Sequence, residues 1–380
     1  MTSASDFRFI HTADLHLGKR FSTLPDEHLR GRLAEARHSV LARLAQAARD
    51  HGAAHILVAG DVFDTETPSD AVWRQALSAM GADPALTWWL LPGNHDSLAA
   101  EALWARIAAQ APANVRPLLT PDPVEPAPGV RLLPAPATRR YPGRDLTDWF
   151  ATDQGDPAAL RIGLAHGAVQ EFGEEDARDT IPPDRARTAR LDYLALGDWH
   201  GMIAIGPRTR YPGAPERDGF KHQGRGQCLA VTLTRPGEPP IVAEVEVGSF
   251  HWSEQPLPLL PGQDAAQALA ALLPGDTAAR RDRLLRVRVT GRATLAQRAA
   301  LADAARTTAP EFARFQLDTS DLATEYEADD LDSIDRGGAL RMAADALLAD
   351  ARDEARPAEE RAVAAAALNR LYGYVQETDR

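Results

Sequence analysis

Residues 7–16 read FRFIHTADLH, a short apolar run that ends in two side chains able to bind a metal ion. The same grammar returns four times. HILVAGDVFD covers 55–64, WWLLPGNHD covers 88–96, RIGLAHG covers 161–167 and YLALGDWH covers 193–200. Each is an apolar stretch of strand length followed at once by Asp, Asn or His. Between the first two, Leu29, Leu33, Val40, Leu41 and Leu44 recur at helical spacing and Gly52 stops the helix. A further helix starts near Ser69. Strand and helix alternating in this way predict an α/β layered domain, whose ligands sit beyond the carboxyl ends of the strands.

The chain is long enough for two or three domains at 380 residues, and 44% hydrophobic content supports a real core. Forty-two Lys+Arg against 54 Asp+Glu leave a net charge of −12, which excludes a uniformly basic nucleic-acid binder. Cys228 is the single cysteine. It cannot form an internal disulfide or a thiolate cluster, so any metal must rest on oxygen and nitrogen, and a reducing cytoplasm is the expected location. The N-terminus lacks the pattern of a signal peptide, no apolar run reaches the ~18 residues of a membrane span, and no membrane association is expected.

Prolines crowd the stretch from 112 to 142, which forbids helix there and predicts edge strands or loops. Cys228–Leu233 and Ile241–Val247 alternate as half-buried antiparallel strands. The expected organisation is a first domain over 1–250, a small α+β domain over 251–328 and a helical segment over 329–380. In the second, Asp264–Leu273 and Leu295–Ala305 read as helices, and Leu284–Val289 and Phe312–Leu317 as strands. In the third, Pro357 divides two helices expected at Ser333–Ala355 and Ala358–Val375.

The five strand ends share one chemistry. Carboxylate and amide oxygens mixed with imidazoles suit Mn²⁺, Fe²⁺ or Zn²⁺ better than Mg²⁺ or Ca²⁺, which favour oxygen alone. If the chain stays extended, Asp14 and His16 point to one side and can share an ion, as can Asp198 and His200. An Asp at position 61 could bridge two ions, and a pair of ions is the arrangement suited to in-line attack on phosphorus. Glycines before Asp61, Asn94 and Asp198 relieve crowding where the backbone turns sharply.

In order and spacing, Asp14-x-His16, Gly60-Asp61 to Asp64, Gly93-Asn94-His95-Asp96, His166-Gly167 and Gly197-Asp198-x-His200 resemble the five signatures of calcineurin-like metallophosphoesterases. Within them, His11-Thr12-Ala13-Asp14-Leu15-His16-Leu17-Gly18 and Tyr211-Pro212-Gly213-Ala214-Pro215 look like SbcD-type DNA repair nucleases. The resemblance implies a layered sandwich of mixed sheets flanked by helices, with a small α+β capping domain and a C-terminal helical segment. It implies that Asp14, His16, Asp61 and His200 hold one divalent ion and Asp61, Asn94, His166 and Asp198 a second. Mn²⁺ is the expected metal, with Mg²⁺, Fe²⁺ or Zn²⁺ as alternatives. His95 becomes the acid that protonates or steadies the leaving oxygen, oriented by Asp96. One departure is Asp198, where the family usually carries His.

The resemblance also implies DNA as substrate, an SMC-like coiled-coil ATPase as partner for the C-terminal helices, and a homodimer. On an acidic chain, phosphate contacts must come from local cations; Lys19 and Arg20, and Arg280, Arg281 and Arg283, are the expected ones. The other readings of the same site are a phosphodiesterase or phosphatase acting on a small molecule or protein, and a non-catalytic scaffold for the ATPase.

Overall fold

The computed structural model describes residues 6–169, 180–260, 262–325, 334 and 338–378, which form two units, 1–251 and 252–380. In the first unit, one sheet runs in the order β12 (Ile241–Leu259), β11 (Gly224–Leu233), β1 (Phe7–Thr12), β2 (His55–Val58), β3 (Thr87–Leu90) and β4 (Val115–Pro117). Strands β1 to β4 are parallel and β11 is antiparallel to β1. The second sheet runs β5 (Val124–Ala127), β6 (Val130–Ala135), β7 (Leu160–His166), β8 (Tyr193–Gly197), β10 (Thr209–Tyr211) and β9 (Ile203–Ala204). Strands β6, β7, β8 and β10 are parallel, with β5 and β9 antiparallel at its margins.

The apolar runs are continuous because both faces of each central strand are buried. Ile10, Ile56, Val58, Trp88 and Leu90 face the helices α1 (Glu27–Asp50), α2 (Asp70–Gly81) and α3 (Glu101–Gln110), meeting Val40, Leu44, Trp73, Met80, Trp104 and Ile107. Their neighbours Phe9, Leu57, Trp89 and Leu91 face the other sheet, against Ile162, Leu164 and Tyr193. A third cluster, with Leu133, Phe150, Ala186 from the short helix α4 (Arg185–Thr188), Leu194 and Tyr211, covers that sheet's outer side. The result is two mixed sheets face to face, flanked by helical and irregular layers. The proline-rich stretch supplies two margins, β4 and β5, as expected. It also supplies β6, an interior strand, which tolerates Pro134 although proline brings no N–H to the ladder.

The second unit holds β13 (Arg283–Thr294) and β14 (Arg314–Glu325), parallel, joined by the crossover helix α6 (Leu295–Thr308). Thr294 and Gln297 cap that helix reciprocally. With α5 (Ala265–Leu272), these elements enclose Leu257, Leu269, Leu285, Val287, Val289, Leu301 and Phe312. The last two helices are α7 (Ala339–Arg352) and α8 (Ala358–Thr378); Ser333, where the first was expected to begin, lies outside the described residues. No helix among the described residues is long and apolar enough to cross a membrane.

Candidate metal centre

Five parallel strands from the two sheets deliver their carboxyl ends to one edge of the first unit. Past β1, the chain enters the left-handed region at Asp14 (φ 56°) and again at His16 (φ 44°). Extended alternation was the expected device for aiming both side chains one way; left-handed turns do it instead. The turn is zipped to the loop after β2: Asp14 N–H donates to the Gly60 carbonyl at 3.1 Å, His16 N–H to that of Asp61 at 3.0 Å and Leu17 N–H to that of Val62 at 2.9 Å. Asp61 (φ 53°) and Asp198 (φ 106°) share this strain, so four of the six described non-glycine residues at positive φ are expected ligands. Such backbone costs on the order of 1 kcal/mol or more per residue and persists where the surroundings fix it. Gly60 (φ 91°) belongs to the same device, since a Cβ there would overlap the ring of His166.

The expected ligands converge. His16 Nε2 and His200 Nε2 are 3.1 Å apart, and Asp14 Oδ1 is 4.0 Å from the latter. His166 Nε2 lies 3.5 Å from Asp61 Oδ1 and 3.8 Å from Asp198 Oδ1, while Asp61 Oδ2 lies 3.5 Å from His16 Nε2. Asp61 thus presents one oxygen to each histidine. Three groupings bring ligand atoms within 4.8 Å of one another: Asp14 with His16 and His200, Asp14 with Asp61 and His166, and His16 with Asp64 and His95. Asp198 is outside all three; its Oδ1 accepts from Asn94 Nδ2 at 3.1 Å, while its N–H donates to Asp14.

Two observations say that this cradle fits a cation. His166 Nε2 and Asn94 Oδ1 are buried polar atoms with no hydrogen-bond partner, although such atoms are almost always paired. His166 Nδ1 is held by the Ala59 carbonyl at 2.8 Å, which fixes the ring and leaves Nε2 aimed at Asp61. Charge agrees. Burial opposes a charged His166, but Asp61, Asp14 and Asp198 outweigh it and push its pKa up to about 9. A cluster that attracts a proton so strongly attracts a divalent cation for the same reason.

His95 stands at the rim, its ring 4.8 Å from that of His16, with Nδ1 held by the Asp64 carbonyl at 3.0 Å. That contact corrects the expectation for Asp96. The Asp96 carboxylate accepts from Gly93 N–H at 2.7 Å and Phe63 N–H at 2.9 Å, so it pins two metal-site loops together, and His95 is oriented by Asp64. Fully buried, Asp96 has its pKa pushed up to about 7 by burial and by nearby Asp61.

The structure adds residues that sequence reasoning passed over. Asp64 stands in the sequence only as the last residue of its motif, yet its Oδ1 is 3.4 Å from His16 Nδ1. Asp218 lies 3.4 Å from His200 Nδ1, 2.8 Å from Lys19 Nζ and 3.7 Å from Arg37. Buried Arg37 also donates to the carbonyls of Leu15 at 2.8 Å and Glu216 at 3.1 Å. Its signal was legible: an arginine on the same helical stripe as Leu33, Val40 and Leu44 needs buried acceptors.

The expected phosphate contacts scatter. Lys19 is paired with Asp218, and Arg20 is exposed. In the second unit, Arg280 bonds Glu311 at 2.5 Å and the Pro274 carbonyl at 2.8 Å; Arg281 is exposed, and Arg283 opens β13 half-buried.

The family model for calcineurin-like phosphoesterases matches residues 7–203, the span that carries all five strand ends. The chain belongs to that family. Calcineurin-like phosphoesterases use a dinuclear metal centre, in keeping with a cradle that has Asp61 between two histidine-bearing sides. Among similar members of the family, the SbcD subunit of nuclease SbcCD from Bacillus subtilis (strain 168) is 26% identical over 287 residues, covering 64% of this chain and 70% of that one. Its counterpart in the nuclease SbcCD of Escherichia coli (strain K12) is 26% identical over 309 residues, covering 70% and 73%. The uncharacterized metallophosphoesterase YhaO of Bacillus subtilis is 28% identical over 242 residues, covering 60% and 58%.

Proposed function

We propose that this phosphoesterase is a DNA nuclease of SbcD type, hydrolysing phosphodiester bonds at DNA ends with two Mn²⁺ ions, in the cytoplasm, as a homodimer partnered by an SMC-like ATPase. The observation that carries the catalytic part is the convergence of Asp14, His16, Asp61, His166 and His200 with unpartnered His166 Nε2 and Asn94 Oδ1 among them. The relatives named as parts of a nuclease support the choice of DNA. In this reading Asp14, His16, Asp61 and His200 hold one cation, and Asp61, Asn94, His166 and Asp198 the other. A cation pair supplies Lewis acidity, polarising a phosphoryl oxygen and lowering the pKa of water.

The chain's own residues do the rest. The Asp64 carbonyl accepts a hydrogen bond from Nδ1–H of His95, so the ring's Nε2 is the atom left to face a departing oxygen and, when it carries a proton, to donate it there. Asp218 accepts from His200 Nδ1 and so keeps the lone pair of Nε2 turned toward His16. Arg20 and Arg281, both exposed, are the members of the expected cation set most open to phosphate. Residues 251–328 serve as a capping domain, and the helices of 329–380 as the seat of the ATPase, with Leu340, Met342, Val363 and Tyr374 exposed on them.

The test is incubation with Mn²⁺ or Mg²⁺ on end-labelled single- and double-stranded DNA beside His95→Ala. Metal-dependent cleavage that collapses in the variant is expected. Hydrolysis of small phosphodiesters with no cleavage of DNA would move the substrate to the alternative class, and metal binding without any turnover would make the chain a scaffold.

A further inference from the structure

The cations expected to meet DNA beside the metal centre are partly consumed by Asp218, yet another group of arginines rises from the same edge. β6 ends at Ala135, paired with Ala165 one residue before His166. Ala137 N–H then donates to the Pro92 carbonyl at 3.1 Å, and Leu98 N–H donates to the Ala137 carbonyl at 2.9 Å. The chain is thereby stitched to both flanks of Asn94-His95-Asp96. Directly after Ala137 comes Thr138-Arg139-Arg140-Tyr141-Pro142-Gly143-Arg144. Tyr141 is four residues from Ala137, so it lies within about 14 Å of that anchor by chain length.

Three features set this loop apart. Arg139, Arg140 and Arg144 are exposed and have no carboxylate partner among the described residues, on a protein whose net charge is −12. The nearest acid in sequence, Asp145, is turned to Thr147 and Arg185. Tyr141 is 73% exposed, and Arg140 stands 5.9 Å from its ring centroid. Pro142 and Gly143 (φ 72°) fix the turn, with Arg139 donating to the Pro142 carbonyl at 3.1 Å. An exposed aromatic between arginines that have no carboxylate partner among the described residues is chemistry that stacks an unpaired base while holding its phosphates.

We propose that the loop 138–144 is a binding platform for single-stranded DNA, Tyr141 stacking a base unpaired from its complement and Arg139, Arg140 and Arg144 holding flanking phosphates. This rests on the nuclease reading and deepens it: the preferred substrate is a frayed or single-stranded end. An acidic protein surface is the competing partner.

Binding in chelator separates the question from catalysis. Fluorescence anisotropy would follow labelled single-stranded DNA, blunt duplex and polyglutamate on the full chain, on Tyr141→Ala, on Tyr141→Phe, and on the combined variant Arg139→Gln, Arg140→Gln, Arg144→Gln. Tyr141→Ala should weaken single-strand binding about 5–50-fold and duplex binding far less, and Tyr141→Phe should restore it. The arginine variant should flatten the slope of log K against log salt by about 2, at ~0.7 per lost phosphate contact on single strands. Unchanged affinity and slope in these variants, while the wild-type protein cleaves DNA, would overturn the platform alone. Equal loss for polyglutamate and DNA, with no effect of Tyr141→Ala, would overturn it in favour of an acidic protein. Absence of DNA cleavage with either metal would bring down the nuclease reading beneath it.

Discussion

The Nε2 atoms of His16 and His200 face each other at 3.1 Å, a contact that needs a hydrogen on one of the two nitrogens. Burial pulls the pKa of His16 down to about 4, whereas at His200 burial is outweighed by Asp218 and Asp14 and the pKa is raised, so the hydrogen belongs to His200. A cation held by both rings would take the place of that hydrogen. Mn²⁺ at a thousandfold over its dissociation constant should therefore stabilise the fold by about 4 kcal/mol. Scanning calorimetry of the first transition, with Mn²⁺ against chelator, should show a rise of roughly 5–15 °C. His16→Ala should lose most of it, and a rise of the same size in that variant would place the ion elsewhere.

His95 and Asp96 are adjacent in sequence and should fail differently. His95→Ala should lower kcat on a phosphodiester by about 10²–10⁴-fold while bound metal, measured by elemental analysis, stays at the wild-type level. Asp96→Ala strips the acceptor from Gly93 and Phe63 N–H groups, and each buried donor left unpaired costs about 1–3 kcal/mol. Its signature is a fall in stability that persists in chelator. Wild-type stability with lost turnover would return Asp96 to the chemistry.

What the sequence made legible was whatever repeats a local rule. Apolar runs of strand length ending in Asp, Asn or His predicted β1, β2, β3, β7 and β8 to within a residue or two, and their shared edge followed from parallel topology. The means of aiming the side chains did not follow, because left-handed turns at Asp14 and His16 depend on bonds to Gly60 and Asp61, a whole helix and strand further along the chain. Asp218 was invisible for a similar reason: its partners His200, Lys19 and Arg37 come from three distant segments, and nothing within its own neighbourhood marks it. The role given to Asp96 failed because adjacency in sequence was taken for contact, whereas the turn sends its carboxylate inward and His95 outward.

Two glycines make a contrasting pair. A Cβ on Gly93 would overlap the Asp61 carboxylate and backbone, so Gly93→Ala must displace the residue between the two histidine-bearing sides. It should cut metal affinity at least tenfold by titration calorimetry. Gly31 is exposed within α1 with open space around it, and Gly31→Ala should stabilise the helix by about 0.5–1 kcal/mol and leave metal binding unchanged. Equal metal affinity in the two variants would contradict the close approach at Gly93.

Acid stability should report on Asp153, far from the metal edge, shortly before the start of β7. Its carboxylate takes hydrogen bonds from Arg131 at 2.6 and 2.9 Å and from Arg161 at 2.7 Å, and its side chain is only 4% exposed. Hydrogen bonding from Arg131 leads the causes that bring its pKa down to about 2, burial opposing and Arg161 assisting. A carboxyl whose folded pKa lies below its unfolded value stabilises the fold fully above the unfolded value and loses that contribution as pH falls toward the folded one. Here that is about 2 kcal/mol, present at pH 6 and lost progressively below pH 5. Asp153→Asn removes the titration but keeps an acceptor. In urea unfolding, the stability gap between wild type and variant should narrow by about 1 kcal/mol from pH 6 to pH 3. A gap that stays constant over that range would mean the two arginines hold Asp153 through packing rather than charge.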